Sequence, residues 1–258
     1  MSEYFTVETM TKICFDEPFG CLDIDGGRHD TLQTVQRIVM WGEITANVPL
    51  MQHLLSWALI FNTLEYSLAR ELSKFNSLAK RIVVKRFSEV GDLTTTNVKS
   101  DKHGDMLEGF MNRGFSQRLC ELQVPVQLTT GTETTATAIR STLLHIITPP
   151  EVYRKLKDEI DDAIANGKIS SPIKFREAKE LPYVVAVVYE GLRMHPPFSG
   201  LLMKLVPPEG YTYSDGRFIP GGTIIGQNTW DAMRDPEIFS DDANIFRLDR
   251  FIKAASEL

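Results

Sequence analysis

The sequence predicts a mainly α-helical fold with a small β portion. Apolar residues recur at helical spacing along much of the first 200 residues; in the segment from Glu151 to Asn166, for example, Val152, Leu156 and Ile160 are four apart. Beyond Pro196 the pattern changes to short runs with strand propensity, separated by Pro and Gly. The chain has 258 residues, 43% hydrophobic and 24% charged, which is enough to bury a sizeable core.

The N-terminal third of the chain predicts three helices. Residues 6–14 carry apolar side chains at helical spacing and end at the breakers of residues 16–20, which indicates a short core helix. A capping residue near position 30, Asp30 or Thr31, begins a second helix that ends at Pro49. Residues 62–89 place their apolar side chains near one stripe and predict one long amphipathic helix.

An apolar run from Ala46 to Phe61 also contains His53 and Ser56. It is shorter than the roughly 20 residues that a membrane-spanning helix needs. We expect this run to pack in the core or to roof a pocket, and shallow peripheral membrane contact is the alternative. Residues 91–104 are polar and predict a surface connection, after which Asp105 begins a short helix.

The segment 124–147 is the most unusual part of the chain. On a helix, Thr130, Thr137 and Ser141 share one face with Val126 and with either Glu133 or Thr134, so that a carboxylate and hydroxyl groups meet within an otherwise apolar element. Because Gly131 and β-branched threonines are poor helix formers, we expect a local bulge. The alternative is a buried helix whose threonine hydroxyls bond to the carbonyl one turn back.

The C-terminal half predicts a secure helix over Glu151 to Asn166, with Gly167 placed to end it. The segment 181–193 is ambiguous, since its valines favour a buried strand whereas Pro182 suits the first turn of a helix. Residues 201–206, 211–213 and 223–226 predict short strands of one small sheet, and the Asp215–Gly216 step indicates a hairpin turn.

Charge and cysteine usage exclude several classes. The net charge of −6 and the lack of a long basic run argue against a nucleic-acid partner. Cys14, Cys21 and Cys120 form no C-x-x-C pair, which argues against a disulfide framework or a cysteine metal site and favours a reducing compartment. The N-terminus lacks the pattern of a signal peptide, so an intracellular, cytoplasmic location is expected.

The common cofactor and hydrolase motifs do not occur in the sequence: there is no phosphate-binding loop, no G-x-G-x-x-G, no H-E-x-x-H and no G-x-S-x-G. The positive signal is a series of short motifs. Glu190 and Arg193 are three apart and face each other on a helix, which alone is a weak signal. The series is the acid–threonine patch, then E-x-x-R with Met194-His-Pro-Pro, then Trp230-Asp-Ala-Met-Arg-Asp-Pro, then Phe246-Arg-Leu-Asp-Arg-Phe251.

With these motifs in this order, the chain resembles the cytochrome P-450 family of haem-thiolate monooxygenases, and fungal members of the pisatin-demethylase type in particular. The similarity covers most of the chain and is strongest from Asp105 onward. It implies a partial cytochrome P-450 fold, with residues 1–258 as a single incomplete domain. In that domain, residues 6–200 form the helical body, 201–230 the short strands and 231–258 the start of the meander before the haem loop.

The resemblance also implies roles for individual residues. Glu133 and Thr134 are the proton-delivery pair on the helix over the haem. Glu190, Arg193 and Arg250 are a buried structural triad, in which two guanidinium groups bracket one carboxylate. The resemblance implies that Gly131 and Lys204 contribute to haem binding, with Lys204 facing a propionate, and that the substrate pocket is lined by Val126, Thr130, Phe198 and Leu201.

Several positions depart from the family pattern. Thr130 replaces a smaller residue, Pro125 interrupts the central helix, and Leu248 stands where a proline is expected. The Phe-x-x-Gly…Cys-x-Gly loop that supplies the iron ligand does not occur, and Phe19-Gly20-Cys21 only superficially resembles it. No metal ligand is therefore assigned. The expectation is a chain truncated at both ends, without the N-terminal anchor that holds intact relatives at the endoplasmic reticulum membrane.

The leading hypothesis is a truncated monooxygenase that is inactive in this form because the thiolate is absent. The intact family member would oxidise a small apolar, secondary-metabolite-type substrate with haem, O2 and electrons from a reductase. The alternative is a non-catalytic helical protein that binds a hydrophobic ligand or partner. A third hypothesis, an unrelated hydrolase built on Glu133, lacks a visible nucleophile–base arrangement.

Overall fold

The computed structural model of the protein describes residues 1–22, 77, 80–89 and 104–255. The predicted helix that begins near residue 30 and the apolar run 46–61 lie outside these residues. So do most of the predicted helix 62–89, nearly all of the connection 91–104, and His29, His53 and His103. The chain divides into two compact units, Met1–Ala136 and Thr137–Leu258.

The first unit is helical in the residues that the structure describes. Helix α1 is Ser2–Phe15, residues 80–89 form helix α2, helix α3 is Met106–Asn112, and the long helix α4, Gln117–Ile147, begins here. The short core helix expected at 6–14 is therefore confirmed, as is the helix after Asp105. One apolar cluster holds these elements together, formed by Cys14, Phe15, Val83, Leu107, Cys120, Val124 and Leu128.

A buried ion pair accompanies this cluster. Nη1 of Arg86 on α2 lies 2.7 Å from Oδ2 of Asp105, and both side chains are buried. Arg86 also donates through Nη2 to the carbonyl of Phe15 at 2.9 Å, while Oδ1 of Asp105 accepts the N–H of Glu108 at 2.8 Å and caps α3. One carboxylate therefore serves both as a helix cap and as the counter-ion of a buried arginine.

Helix α4 runs without interruption through Pro125 and the threonine-rich segment. The prediction of a local bulge is wrong. The threonine and serine hydroxyls donate to backbone carbonyls of the helix, and the helix stays continuous. Thr130 Oγ1 donates to the carbonyl of Val126 at 2.7 Å, Thr134 Oγ1 to that of Thr130 at 2.5 Å, and Ser141 Oγ to that of Thr137 at 2.8 Å. Each bond reaches back four residues, the pattern that a helix accommodates.

The helices of the second unit include α5, Pro150–Ala165, α6, Phe175–Lys179, and α7, Pro182–Met194. Helix α5 confirms the prediction for 151–166, and Gly167 follows it with a φ of +64°, the left-handed conformation that glycine adopts without strain. Glu177 ties the turn before α6 together. Its carboxylate accepts the N–H groups of Lys174 and Ser170 and the Ser170 hydroxyl, and these bonds lower its pKa to about 2.

The valines of 181–193 favoured a strand, and that prediction is wrong, since the segment forms α7. Pro182 occupies the first turn, where a missing N–H costs nothing. The next two N–H groups, of Tyr183 and Val184, donate to the two carboxylate oxygens of Glu159 at 2.9 Å each. One face of α7 is buried, and it packs with Ile146 and Leu248, so tertiary contacts override the strand propensity.

The β portion comprises two separate two-stranded antiparallel ribbons in the described residues. Strands β1, Lys204–Leu205, and β4, Ile224–Ile225, pair with Lys204 opposite Ile225. Strands β2, Tyr211–Thr212, and β3, Phe218–Ile219, pair across the turn that contains Gly216, so the predicted hairpin is confirmed. The expectation of a single sheet is wrong, because Pro207 and Pro208 lack the N–H groups that would continue the pairing beyond Val206.

Three short helices follow the ribbons: α8, Thr229–Ala232, α9, Pro236–Phe239, and α10, Asp249–Ala255. Asn228 caps α8 by accepting the N–H of Asp231, and Asp235 caps α9 by accepting that of Glu237. Leu248, just before α10, is buried with Ala186 and Val187 of α7. No helix among the described residues is both long enough and apolar enough to cross a bilayer.

Candidate functional site

The acid–threonine segment lies in the middle of α4, within the first unit. Glu133 and Thr134 are both half-buried, whereas Val126 and Thr130, predicted to line a pocket, are exposed. The Thr134 hydroxyl donates its proton to the Thr130 carbonyl, so it already has a backbone acceptor. For Thr134 to donate to a ligand, this hydrogen bond has to open.

Gly131 is in contact with helix α1. A Cβ atom added at Gly131 would lie 2.2 Å from Cε and 2.7 Å from Sδ of Met10. The missing side chain thus leaves the space that the Met10 thioether occupies. Because methionine is flexible, this contact is adaptable. The structure gives Gly131 a packing partner that the sequence pattern did not indicate.

The second unit contains a buried carboxylate, that of Glu190 on α7. Its side chain is 0% exposed, and those of Arg193 and Arg250 are 2% and 9% exposed. Arg193 binds it in a two-pronged manner, with Nε 2.7 Å from Oε2 and Nη2 2.7 Å from Oε1. Arg250 Nε lies 3.2 Å from Oε1. The structure therefore brings together the three residues that the sequence pattern grouped.

Most of the other hydrogen bonds of the two arginines are to backbone carbonyls of the segment 233–245. Arg193 Nη1 donates to the carbonyls of Met233 and Ala243 at 2.7 Å each, and Arg250 Nη1 donates to that of Phe239 at 2.6 Å. Arginine is suited to this task because its planar group offers five donors. The arginines thus hold the segment after α8, including the short helix α9, against the end of α7.

Three residues of this network were missed by sequence reasoning. The backbone N–H of Arg247 donates to Oε1 of Glu190 at 2.8 Å, and its side chain forms an ion pair with Asp242. Asp242 Oδ1 also lies 3.2 Å from Arg250 Nη2. Arg234 lies over the indole ring of Trp230, 3.4 Å from the centroid, and donates to the carbonyl of Met194. The concentration of acidic and basic residues in 241–250 could have indicated that Asp242 forms an ion pair, but not which arginine it binds.

Two histidines lie beside the network. His145 of α4 stacks on Phe246, with the ring centroids 4.8 Å apart and 5° between the planes, and His195 packs edge-on against Trp230. Burial lowers the pKa of His145, and the positive fields of His195 and Arg234 lower it further, while Glu190 opposes them. Burial, and then the neighbouring Arg193, also lower the pKa of Arg234. This corner of the unit therefore resists a further positive charge.

The other predicted contact residues of the second unit are on its surface. Lys204 begins β1 with an exposed side chain, and Phe198 and Leu201 are exposed in the segment before it. Leu202 adopts a φ of +47°, and the carbonyl of Leu201 accepts the N–H of Gln227 at 2.7 Å. The bond to Gln227 holds the backbone at Leu201, while the apolar side chains of this segment remain exposed, namely Phe198, Leu201, Leu202, Met203 and Leu205.

Comparison with known proteins gives these features a context. The family model described as Cytochrome P450 matches residues 1–257. The chain belongs to the cytochrome P450 family. It is 38% identical over 98% of its length to the cytochrome P450 monooxygenase aba1 of Botryotinia fuckeliana, and 37% identical over 100% of its length to abl1 of Leptosphaeria maculans. It is also 33% identical to ABA1 of Pyricularia oryzae over 96% of its length.

The match covers only part of each relative. The aligned region makes up 48% of aba1, 44% of abl1 and 47% of the Pyricularia protein. The chain thus spans about half the length of the curated relatives it matches. The mainly helical fold with few short strands agrees with this family.

Haem is the cofactor of the family, and its iron requires a deprotonated cysteine sulfur. Cys14 and Cys120 do not fit that role. Cys14 and Cys120 belong to the apolar core of the first unit, and burial raises the pKa of each thiol to about 11, with further increases from Asp105 and Glu121 respectively. Cys21 is buried as well. A buried thiol with a raised pKa stays protonated and is a poor iron ligand.

Proposed function

We propose that this chain contains the acid–threonine helix and the buried charge network of a haem monooxygenase, and that the whole enzyme oxidises a small apolar molecule with O2 and electrons from a reductase. The observation that carries the proposal is the arrangement of Arg193 and Arg250 around the Glu190 carboxylate. Both oxygens of this carboxylate already accept hydrogen bonds from Arg193, Arg250 or the N–H of Arg247, which favours a structural role. The network acts as a scaffold that holds the segment 233–250 in place.

The proposed roles of the remaining residues follow the family resemblance. Glu133 and Thr134 are the proton-handling pair of α4, with Gly131 beside them. Lys204 is the proposed cation for a haem propionate. Val126, Thr130, Phe198 and Leu201 are proposed to contact the substrate, and the exposed apolar side chains among them are compatible with an apolar ligand.

We further propose that residues 1–258 do not form a haem–thiolate centre by themselves. The support is that Cys14, Cys21 and Cys120 are all buried among packed apolar side chains, and that burial raises the pKa of the Cys14 and Cys120 thiols. The test is a carbon monoxide difference spectrum of the purified chain after addition of haemin and reduction. We expect no Soret band at the position of a thiolate-ligated complex. A band that appears in the parent chain and disappears in one of the variants Cys14→Ser, Cys21→Ser or Cys120→Ser would overturn this proposal.

The monooxygenase role has a separate test in any form of the protein that shows the thiolate spectrum. The variant Thr134→Val keeps the shape of the side chain and removes the hydroxyl, and Glu133→Gln removes the charge. Each is expected to lower product formation about 10-fold or more while the haem content stays unchanged. Thr129→Val on the same helix is the matched control. Equal turnover in the parent and both test variants would refute the proton-handling roles.

A second candidate function, a non-catalytic binding protein, is favoured by one observation. Leu143, Leu144 and Ile147 at the end of α4 are all exposed, although buried side chains would be expected from a core helix. Such a surface suits an apolar ligand or a partner protein. Size-exclusion chromatography with light scattering, together with titration of an apolar fluorescent probe, tests this function. A compact monomer that takes up no probe contradicts it.

A further inference from the structure

The charges around Glu190 do not balance within the three residues that the sequence pattern grouped. One carboxylate meets two guanidinium groups, so Glu190, Arg193 and Arg250 together carry one excess positive charge. None of the three side chains is more than 9% exposed. An excess charge in a region that excludes water is unfavourable unless a counter-charge lies close by.

Asp242 supplies a second carboxylate. Its side chain is 23% exposed, its Oδ1 lies 3.2 Å from Nη2 of Arg250, and its backbone carbonyl accepts from the same nitrogen at 3.0 Å. Its other oxygen, Oδ2, pairs with Nη1 of Arg247, whose side chain is 46% exposed. The carbonyls of Phe239 and Ile245 also accept from Arg250, but they are neutral and cannot offset its charge.

We propose that Asp242 is a positioning residue of the Glu190 network. The charges of Glu190, Arg193, Arg250 and Asp242 then balance, whereas the third guanidinium group, that of Arg247, is 46% exposed and is stabilised by water as well as by Asp242. The Asp242 carboxylate binds the side chains of Arg247 and Arg250. The same two residues donate to Glu190, Arg247 through its backbone N–H and Arg250 through Nε. The segment 242–250 is therefore bound at two points, by the partly exposed carboxylate of Asp242 and by the buried carboxylate of Glu190. This inference goes beyond the proposed function, since it applies whether or not the chain binds haem.

Asp242→Asn tests the role of the charge, because asparagine has nearly the same shape. Asp241→Asn is the matched control: Asp241 is the adjacent residue, has the same charge and is exposed. We expect Asp242→Asn to lower the melting temperature of the full chain by roughly 5 °C, and the control variant by less than about 1 °C. Circular dichroism measures both. Equal melting temperatures for the two variants overturn the proposal.

Two further variants separate charge from shape. Asp242→Glu keeps the charge and should restore most of the lost melting temperature; if it melts as low as Asp242→Asn, the charge balance is refuted. Arg247→Gln should lower the melting temperature of the parent chain but have little further effect in the Asp242→Asn background. Equal effects in both backgrounds, or no effect in the parent, would refute the pairing.

If Asp242→Asn does not fold, the glutamate variant decides. A folded Asp242→Glu chain beside an unfolded Asp242→Asn chain supports the need for a negative charge at this position. If neither folds while Asp241→Asn does, the size of the side chain is what matters, and the proposal fails.

Discussion

Gly191 of α7 lies directly against Thr142 of α4. A Cβ atom added at Gly191 would lie 2.3 Å from Oγ1, 2.8 Å from Cγ2 and 2.9 Å from Cβ of Thr142. Threonine is β-branched, so its side chain has few alternative rotamers in a helix. Because Gly191 follows Glu190 in the chain, the close contact of the two helices also sets the position of the buried carboxylate.

Gly191→Ala is therefore expected to destabilise the chain by about 1–3 kcal/mol, since the helices have to separate to admit a methyl group. Thr142→Ala removes the two nearest atoms and should recover part of the loss when it is combined with Gly191→Ala. The control is Gly109→Ala in α3, where an added Cβ has no atom within 4 Å. That change should be neutral or stabilise by up to about 1 kcal/mol. Urea unfolding of the parent chain, the two single variants, the double variant and the control measures these effects, and equal effects at positions 191 and 109 would contradict the packing argument.

Glu190→Gln leaves Arg193 and Arg250 buried without their shared negative charge. Breaking a buried ion pair by removing one partner costs about 3–5 kcal/mol, and we expect a loss of unfolding free energy in that range. The control is Glu151→Gln, which removes an exposed carboxylate paired with Arg154 and should leave the free energy of unfolding nearly unchanged. If chemical denaturation shows similar midpoints for the two variants, the buried network does not hold the second unit together.

Asp105 has two roles in the first unit, as the cap of α3 and as the partner of Arg86, and two variants can separate them. Asparagine is also a good helix cap, so Asp105→Asn should retain the bond to the N–H of Glu108 and lose only the ion pair with Arg86. Asp105→Ala should lose both and be less stable by about a further 1 kcal/mol. Thermal unfolding of the two variants provides the comparison. An alanine variant as stable as the asparagine variant would show that the cap contributes nothing.

The helical part of the fold was largely predictable from the sequence, because apolar spacing and breakers act locally. The Pro182 position was the correct signal for α7, yet the valines outweighed it, since the Glu159 carboxylate that receives two N–H groups of α7 lies 24 residues earlier. The expected bulge at Gly131 failed for a related reason. Threonine propensity predicts a weak helix, but each hydroxyl can bond within the helix and keep it continuous.

Only those residues of the candidate site that belong to recognisable sequence motifs were predictable. Glu190 and Arg193 are one helical turn apart, so their pairing follows from spacing, whereas that of Arg250 came from the family resemblance. Nothing in the spacing indicates that Asp242 binds two arginines or that Arg234 stacks on Trp230. These contacts depend on how the segment after α8 folds back onto α7. The path of that segment leaves no periodic pattern in the sequence.

His145 should make the stability of the chain depend on pH. Its pKa in the folded state lies below the ordinary 6.5, chiefly because of burial, so the unfolded chain binds the proton first as the pH falls. The contribution of neutral His145 to the free energy of unfolding is thus fully present above pH about 6.5 and declines as the pH falls from there to the folded-state pKa.

His145→Phe retains a ring that can stack on Phe246 but cannot titrate, and we expect its melting temperature to fall less between pH 8 and pH 5.5 than that of the parent. The difference between the two proteins isolates His145 from the other four histidines. Identical pH profiles would contradict a lowered pKa of His145 in the folded chain, and a steeper profile for the variant would mean that this pKa is raised instead.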